Sequence, residues 1–258
     1  MSDMLENQFV QFKKAGKNGE IESESCDIAL PFAFGREGTS AFFTNGTILY
    51  EVIVGIVNVD GTTKSQKSIF VSTSSLRYIQ LQLSSYWTDE EVAEMLDDGE
   101  LFRFYLYDMD FDYYSNVFRY TRSIDGLSTI KYKCNEDTLG FPFASYGGYA
   151  SALLPILIKA PQYSQDDKTY VKQDGSVVTL YSQARKEWDG ETEYLTESIH
   201  DKIMVALMCD ELYVDGVRVS KSGSYDVDWD NYDTIDDTKV AKASFKVQSN
   251  MVSRNSNY

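Results

Sequence analysis

His200 is the single histidine of the chain, and it stands nine residues before Cys209 in the acid-rich stretch KEWDGETEYLTESIHDKIMVALMCDELYVDGV. An imidazole, a thiolate and nearby carboxylates are the groups that bind zinc or carry out nucleophilic catalysis. The spacing works against both. A metal site needs several ligands, there is no second histidine, and Cys209 lies beyond the facing i+3 and i+4 positions of a helix. A Cys–His dyad would have to be assembled in space. On a helix over 191–208, Leu195, Ile199, Ile203 and Ala206 form an apolar stripe that Val205 and Met208 widen. Glu193, Glu197 and Asp201 form the polar side, so His200 falls at the margin as a boundary histidine, and Cys209 closes the apolar end. Glu197 and Asp201 are a like-charged i,i+4 pair, which asks for solvent or a partner.

Two runs of alternating acids raise calcium chemistry. In YDMDFDYY, Asp108, Asp110 and Asp112 share one face of a strand, opposite Tyr107, Met109, Phe111 and Tyr113. In YDVDWDNYDTIDD, Asp226, Asp228 and Asp230 do the same against Tyr225, Val227 and Trp229. An EF-hand loop opens with this spacing, but the glycine it needs next is Asn231 here, and its closing glutamate is Asp237. The same alternation describes a strand with one wet face, and solvent-facing carboxylates are the expectation. Phosphate loops fare worse: GREGTS at 35–40 lacks a Gly-Lys-Ser/Thr ending, and YGGYAS lacks the dinucleotide glycine pattern. Ser145 and Ser176 have no nucleophile-elbow context. No catalytic, cofactor-binding or metal-ligating residue is expected.

The totals narrow the class. A chain of 258 residues can bury a large core, and 24 basic against 40 acidic side chains give a net charge of -16. A direct nucleic-acid binder would need basic patches against that field, and Lys13, Lys14 and Lys17 are only a short cluster. Residues 186–237 alone hold 15 acids and four bases; gathered on one face, that charge would steer a basic partner or line a channel that DNA does not stick to. Cys26, Cys134 and Cys209 are odd in number and far apart, which suits buried free thiols in a reducing cytosol. The N-terminus lacks the basic and apolar regions of a signal peptide, and the apolar run near 151–158 is broken by Pro155, far short of the ~20 residues that span a bilayer. A soluble protein without a membrane partner is expected. An aromatic content of 14% favours β structure and suits interfaces.

The elements that must position these residues are mostly hairpins. Asn45-Gly46, Asp60-Gly61, Asp125-Gly126, Asp174-Gly175 and Asp215-Gly216 each adjoin apolar or alternating runs. Ile48 to Val59 is too apolar for an exposed edge and is placed centrally in a sheet, with KSQKSIFVSTSS returning beside it. Thr88 followed by Glu91 predicts a capping box on a short helix that Gly99 ends. A last strand over 239–248 puts Phe245 and Val247 on one face. These elements predict an α+β fold, mainly antiparallel β-sheet with hairpins and a few short amphipathic helices. They are expected in one domain over 1–258, with a flexible N-terminal arm at 1–25 and a C-terminal tail at 249–258.

From EWDGETEY through IHDKIMVALMCDELYVDGVRVSKSGSYDVDWDNYD to DTKVAKASFKV, roughly 171–258, the chain resembles structural proteins from the tail region of crAss-like Bacteroides phages. Their necks and tails are stacks of protein rings around a DNA channel. The resemblance implies a non-enzymatic virion protein, a homo-oligomeric ring in the neck or tail, made in the bacterial host cytoplasm. Its partners would be neighbouring portal, connector or tail proteins, with DNA passing through without sequence-specific binding. The 191–208 helix and the 213–219 hairpin would then be scaffold and subunit-contact elements. The alternative is a calcium-dependent or carbohydrate-binding β module of a phage tail, with Asp226, Asp228 and Asp230 as the calcium ligands.

Overall fold

Val52, Val54, Ile56 and Val57 have no solvent exposure, so the strand that carries them is covered on both faces. The structure is a computed structural model and describes residues 9, 12–15, 29–34, 41–43, 51–70, 79–107, 111–135, 148–235 and 237–255. The Asn45-Gly46 turn, Cys26, Ser145, Asp108, Asp110 and the GREGTS segment lie outside the described residues.

The first half of the chain forms β1 (Phe12–Lys14), β2 (Leu30–Phe32), β3 (Ala41–Phe43), β4 (Glu51–Asn58), β5 (Thr63–Phe70), β6 (Ile79–Leu81), α1 (Asp89–Ala93), β7 (Leu101–Tyr107), β8 (Asp112–Ser115) and β9 (Phe118–Tyr120). The second half forms β10 (Ser128–Lys133), β11 (Ala150–Leu154), β12 (Ile156–Ile158), β13 (Gln162–Val171), β14 (Val177–Thr192), β15 (Leu195–Thr196) and α2 (Glu197–Leu207). It continues with β16 (Glu211–Val214), β17 (Val217–Val227), β18 (Asp233–Ile235), β19 (Thr238–Ala241) and β20 (Ala243–Asn255). This is an α+β fold dominated by antiparallel sheet; among the described residues only β2 and β9 pair in parallel.

One sheet runs β1-β8-β7-β4-β5, with β9 joining β7 to β2. As its sequence predicts, β4 is central: β5 returns along one edge after Asp60-Gly61, where Gly61 has φ 88°, and β7 holds the other. The inward faces meet in an aromatic cluster. Phe32 has Phe34, Phe102, Phe104 and Phe118 around it at centroid distances of 4.7–5.7 Å, and Trp87 closes over Phe34. Trp87 reaches that place because α1 is fixed immediately after it. The Thr88 hydroxyl accepts from the Glu91 amide, and the Glu91 carboxylate accepts from the Thr88 amide, forming the predicted capping box.

The other large sheet runs β11-β10-β16-β17-β20-β14-β12, with β13 added outside β14. One contiguous buried cluster extends from Phe9 and the aromatic group to Leu212, Phe245 and Val247, so apolar faces of both sheets share a core. Gly190 lets β14 pass directly over Phe245: a Cβ there would stand 2.4 Å from the ring.

Four sequence expectations change. The helix expected over 191–208 begins at Glu197, because Glu191 and Thr192 complete β14 by pairing with Leu157 and Ile156 of β12. Ladder bonds to neighbouring strands outweigh a weak helix preference at those positions. The strand expected over 239–248 is divided at Lys242 into β19 and β20. Residues 249–255, expected in a tail, continue β20 and pair with β14 as far as Asn255 opposite Tyr181. At the other end, within the expected arm, Phe12–Lys14 pairs with β8 and Phe9 is buried against Tyr132.

Candidate interaction surface

His200 is not at a boundary; it is 3% exposed, between α2, β17 and β19. Its Nε2 lies 3.0 Å from the Ala241 carbonyl, which can only accept, so Nε2 carries the proton. Nδ1 then accepts from the Tyr225 hydroxyl at 2.6 Å, and the edge of the ring pair is closed by Trp229 at 5.8 Å. Burial holds the imidazole pKa below its ordinary value, although the Ala241 carbonyl and the Asp201 charge act in the opposite direction. Both nitrogens are engaged, leaving neither for Cys209 or a metal. The histidine is a three-way strut.

Cys209 does close the apolar end of α2, as expected, and it meets Cys134 there, with the two sulfurs 2.8 Å apart. Burial, reinforced by Cys134, pushes the Cys209 thiol pKa far up. A thiol so poor in thiolate is a weak nucleophile.

The alternating acids within the described residues do not converge. Strand β17 stops at Val227, and Asp228 caps a 3₁₀ turn over Trp229–Asn231, with its carboxylate accepting from the Asn231 amide at 3.2 Å and side chain at 2.8 Å. Asp230 is carried on that turn rather than on the strand face, while Asp226 accepts from Ser224 at 2.5 Å. In the other run, Asp112 accepts a 2.5 Å hydrogen bond from Tyr105. Among the described residues no three His, Cys, Asp or Glu side chains are grouped closely enough to hold a metal ion.

Several acids of 186–237 are engaged within the fold. Asp189 pairs with Lys246, Glu191 with Lys159 and Glu193 with Lys242. Asp210 and Asp215 accept from the amides of Asn135 and Thr129, and Glu211 from the Tyr149 hydroxyl. A cavity of about 310 Å³ between β14, β17 and β20 is lined by two of these ion pairs and by Ser222, Ser224 and Ser244. Its one aromatic side chain, Phe245, is buried beneath Gly190 and offers no exposed ring on which a sugar could stack.

The least satisfied surface lies elsewhere. All ten residues of β13 are exposed, so this strand is wet on both faces. Its partner β14 loses β20 beyond Tyr181, and from there to the Asp174-Gly175 turn the described chain is a two-stranded ribbon reaching about 20 Å at ~3.3 Å per residue. The turn is well made: Gly175 has φ 84°, and Asp174 accepts from the Ser176 amide at 2.8 Å and hydroxyl at 2.7 Å. A register shift at Lys168/Thr169 adds twist where the ribbon leaves the sheet. Directly opposed at the tip are Val171 and Val177, 59% and 65% exposed, with Tyr170 at 55% on the other face.

The ribbon differs in charge too. Residues 162–186 contain three acids and four bases, whereas the remaining chain carries 37 acids and 20 bases. Hairpin formation about Asp174-Gly175 is legible in the sequence; the bare edge is not. The available signal is QYSQDDKTYV itself, a strand-length run with no apolar face to place against a core. Compared with known proteins, the chain matches no family model, no curated protein and no solved structure.

Proposed function

We propose that the protein is a non-enzymatic structural subunit that assembles with copies of itself into a ring of a phage neck or tail, with DNA passing through its opening. The observation that carries this reading is the projecting ribbon at 162–186, whose ten-residue strand β13 pairs only with β14 among the described residues, and whose tip exposes Tyr170 and Val171 of β13 and Val177 of β14. An isolated two-stranded ribbon is marginal in water, and an open strand edge with apolar side chains at its tip invites pairing with another chain. A neighbouring subunit satisfies both needs: it covers the valines and completes the ladder. The ribbon is also close to neutral in an otherwise acidic chain, so a second copy meets little charge repulsion there.

Two further features support it. The histidine and the described cysteines serve packing, which suits a scaffold protein. A net charge of -16 lets DNA slide past without adhering. The phage setting rests on the resemblance over 171–258; there the subunit is made in the host cytoplasm, joins the virion, and meets portal, connector or tail proteins above and below.

Electron microscopy of the purified protein and of its parent particle is the test. Closed rings that fit neck or tail density are expected. A protein that stays monomeric at every concentration and is absent from particles would sink the proposal. Calcium-dependent stabilisation abolished by exchanging Asp226, Asp228 and Asp230 for asparagine would favour the calcium-binding module instead.

A further inference from the structure

Cys134 and Cys209 are separated by 75 positions in sequence, yet the sheet brings them together by backbone register alone. Lys133, the last residue of β10, pairs with Glu211, the first of β16. Just beyond that pair, the Asn135 amide donates to the Asp210 carboxylate at 2.8 Å, which holds the two chain segments side by side past the end of the ladder. Cys134 and Cys209 are therefore diagonal neighbours across adjoining segments. Their sulfurs are 2.8 Å apart, and the fully buried Tyr132 and the end of α2 cover them. A hydrogen bond between two thiols is weak, and among the described residues Cys209 is the hydrogen-bond partner Cys134 has. The arrangement suits a covalent bond better than two separate thiols.

We propose that Cys134 and Cys209 form an intramolecular disulfide when the chain folds in the presence of a small-molecule disulfide such as oxidised glutathione. Cys209 is the more accessible, at 9% exposure against 2% for Cys134. Its thiolate attacks the small disulfide, releases one small thiol and forms a mixed disulfide. The Cys134 thiolate then displaces the second small thiol, so the Cys134–Cys209 bond forms as two S–H bonds are lost. The two protons and two electrons leave on the two small thiols.

Burial sets the timing. In the folded chain the Cys209 thiolate is suppressed, so exchange is slow; while the chain is still open, both thiols react freely. Once closed, the bond is shielded from reductant by the same packing. The link ties β10 to the turn between α2 and β16, and the loop it closes includes β11 to β14 and thus the root of the ribbon. It acts as a lock set during folding.

The test is to refold the full chain from denaturant in a glutathione redox buffer, then alkylate it under denaturing conditions and weigh it. One alkylated cysteine of the three is expected, Cys26, together with a reducible peptide linking Cys134 to Cys209. Reduction should lower Tm by about 10 °C for a loop of this length. A variant carrying both Cys134→Ala and Cys209→Ala should melt alike with and without reductant; if it does not fold, the mass count on the unaltered chain decides alone. Three alkylated cysteines after refolding with excess oxidant, or a link made through Cys26, would overturn the proposal.

Discussion

His200 on α2 accepts a 2.6 Å hydrogen bond from the Tyr225 hydroxyl on β17, and its other nitrogen donates to Ala241 of β19. Three elements are thereby joined through one neutral ring. Because Tyr225 is itself packed on Phe245 at 5.9 Å, the strut continues into the core beneath Gly190.

Stability should fall as the solution is acidified. The folded-state pKa of His200 lies below its unfolded value, so the unfolded chain binds more protons in the interval between them. The contribution is complete above the unfolded value of about 6.5 and is lost as pH drops toward the folded value. Urea midpoints measured from pH 8 to pH 5 should decline for the unaltered chain more than for His200→Gln. Parallel declines would show that other groups govern this range.

Removing the donor on the other side should have a smaller effect. Tyr225→Phe leaves Nδ1 without its partner and keeps the ring packing, which should cost about 1–2 kcal/mol. In a double-mutant cycle with His200→Gln, the two losses should couple rather than add. Full additivity in denaturant unfolding would mean that the contact carries no energy.

Gly190→Ala places a methyl within 2.4 Å of Phe245, a ring only 3% exposed, so either β14 or the ring must shift. A loss of about 1–3 kcal/mol is expected from this overpacking. Adding Phe245→Leu to Gly190→Ala should recover part of it. Thermal melting of the single and double variants reads the sign directly.

Thr88→Ala deletes one arm of the capping box on α1, and a loss of about 1 kcal/mol is expected. The effect should appear in the melting of the whole protein, because Val92 and Leu96 are buried in the shared core. An unchanged Tm would indicate that α1 is held by packing alone.

Val171→Ser with Val177→Ser should separate folding from assembly. Both side chains are largely exposed, so melting should change by no more than ~0.5 kcal/mol. Ring formation, followed by mass photometry and electron microscopy, should be lost. Rings that persist in this variant would move the subunit contact away from the ribbon tip.

What the sequence determined by itself is local. Gly61, Gly126, Gly175 and Gly216 all take positive φ values at the Asp-Gly turns, because glycine carries no Cβ to forbid them. The Thr88–Glu91 box closes within three residues, and Val52 to Val57 declare a central strand by composition. Tertiary structure decided the rest. His200 changed from a marginal position to a buried one because residues 25 and 41 positions away came to cover it. Cys134 met Cys209 across 75 positions through strand register, and β13 was left bare on both faces because nothing among the described residues packs over them. Turns and caps are set by the energies of a few adjacent dihedral angles. Burial and exposure are set by which distant segments pack together, and no short window of sequence contains that information.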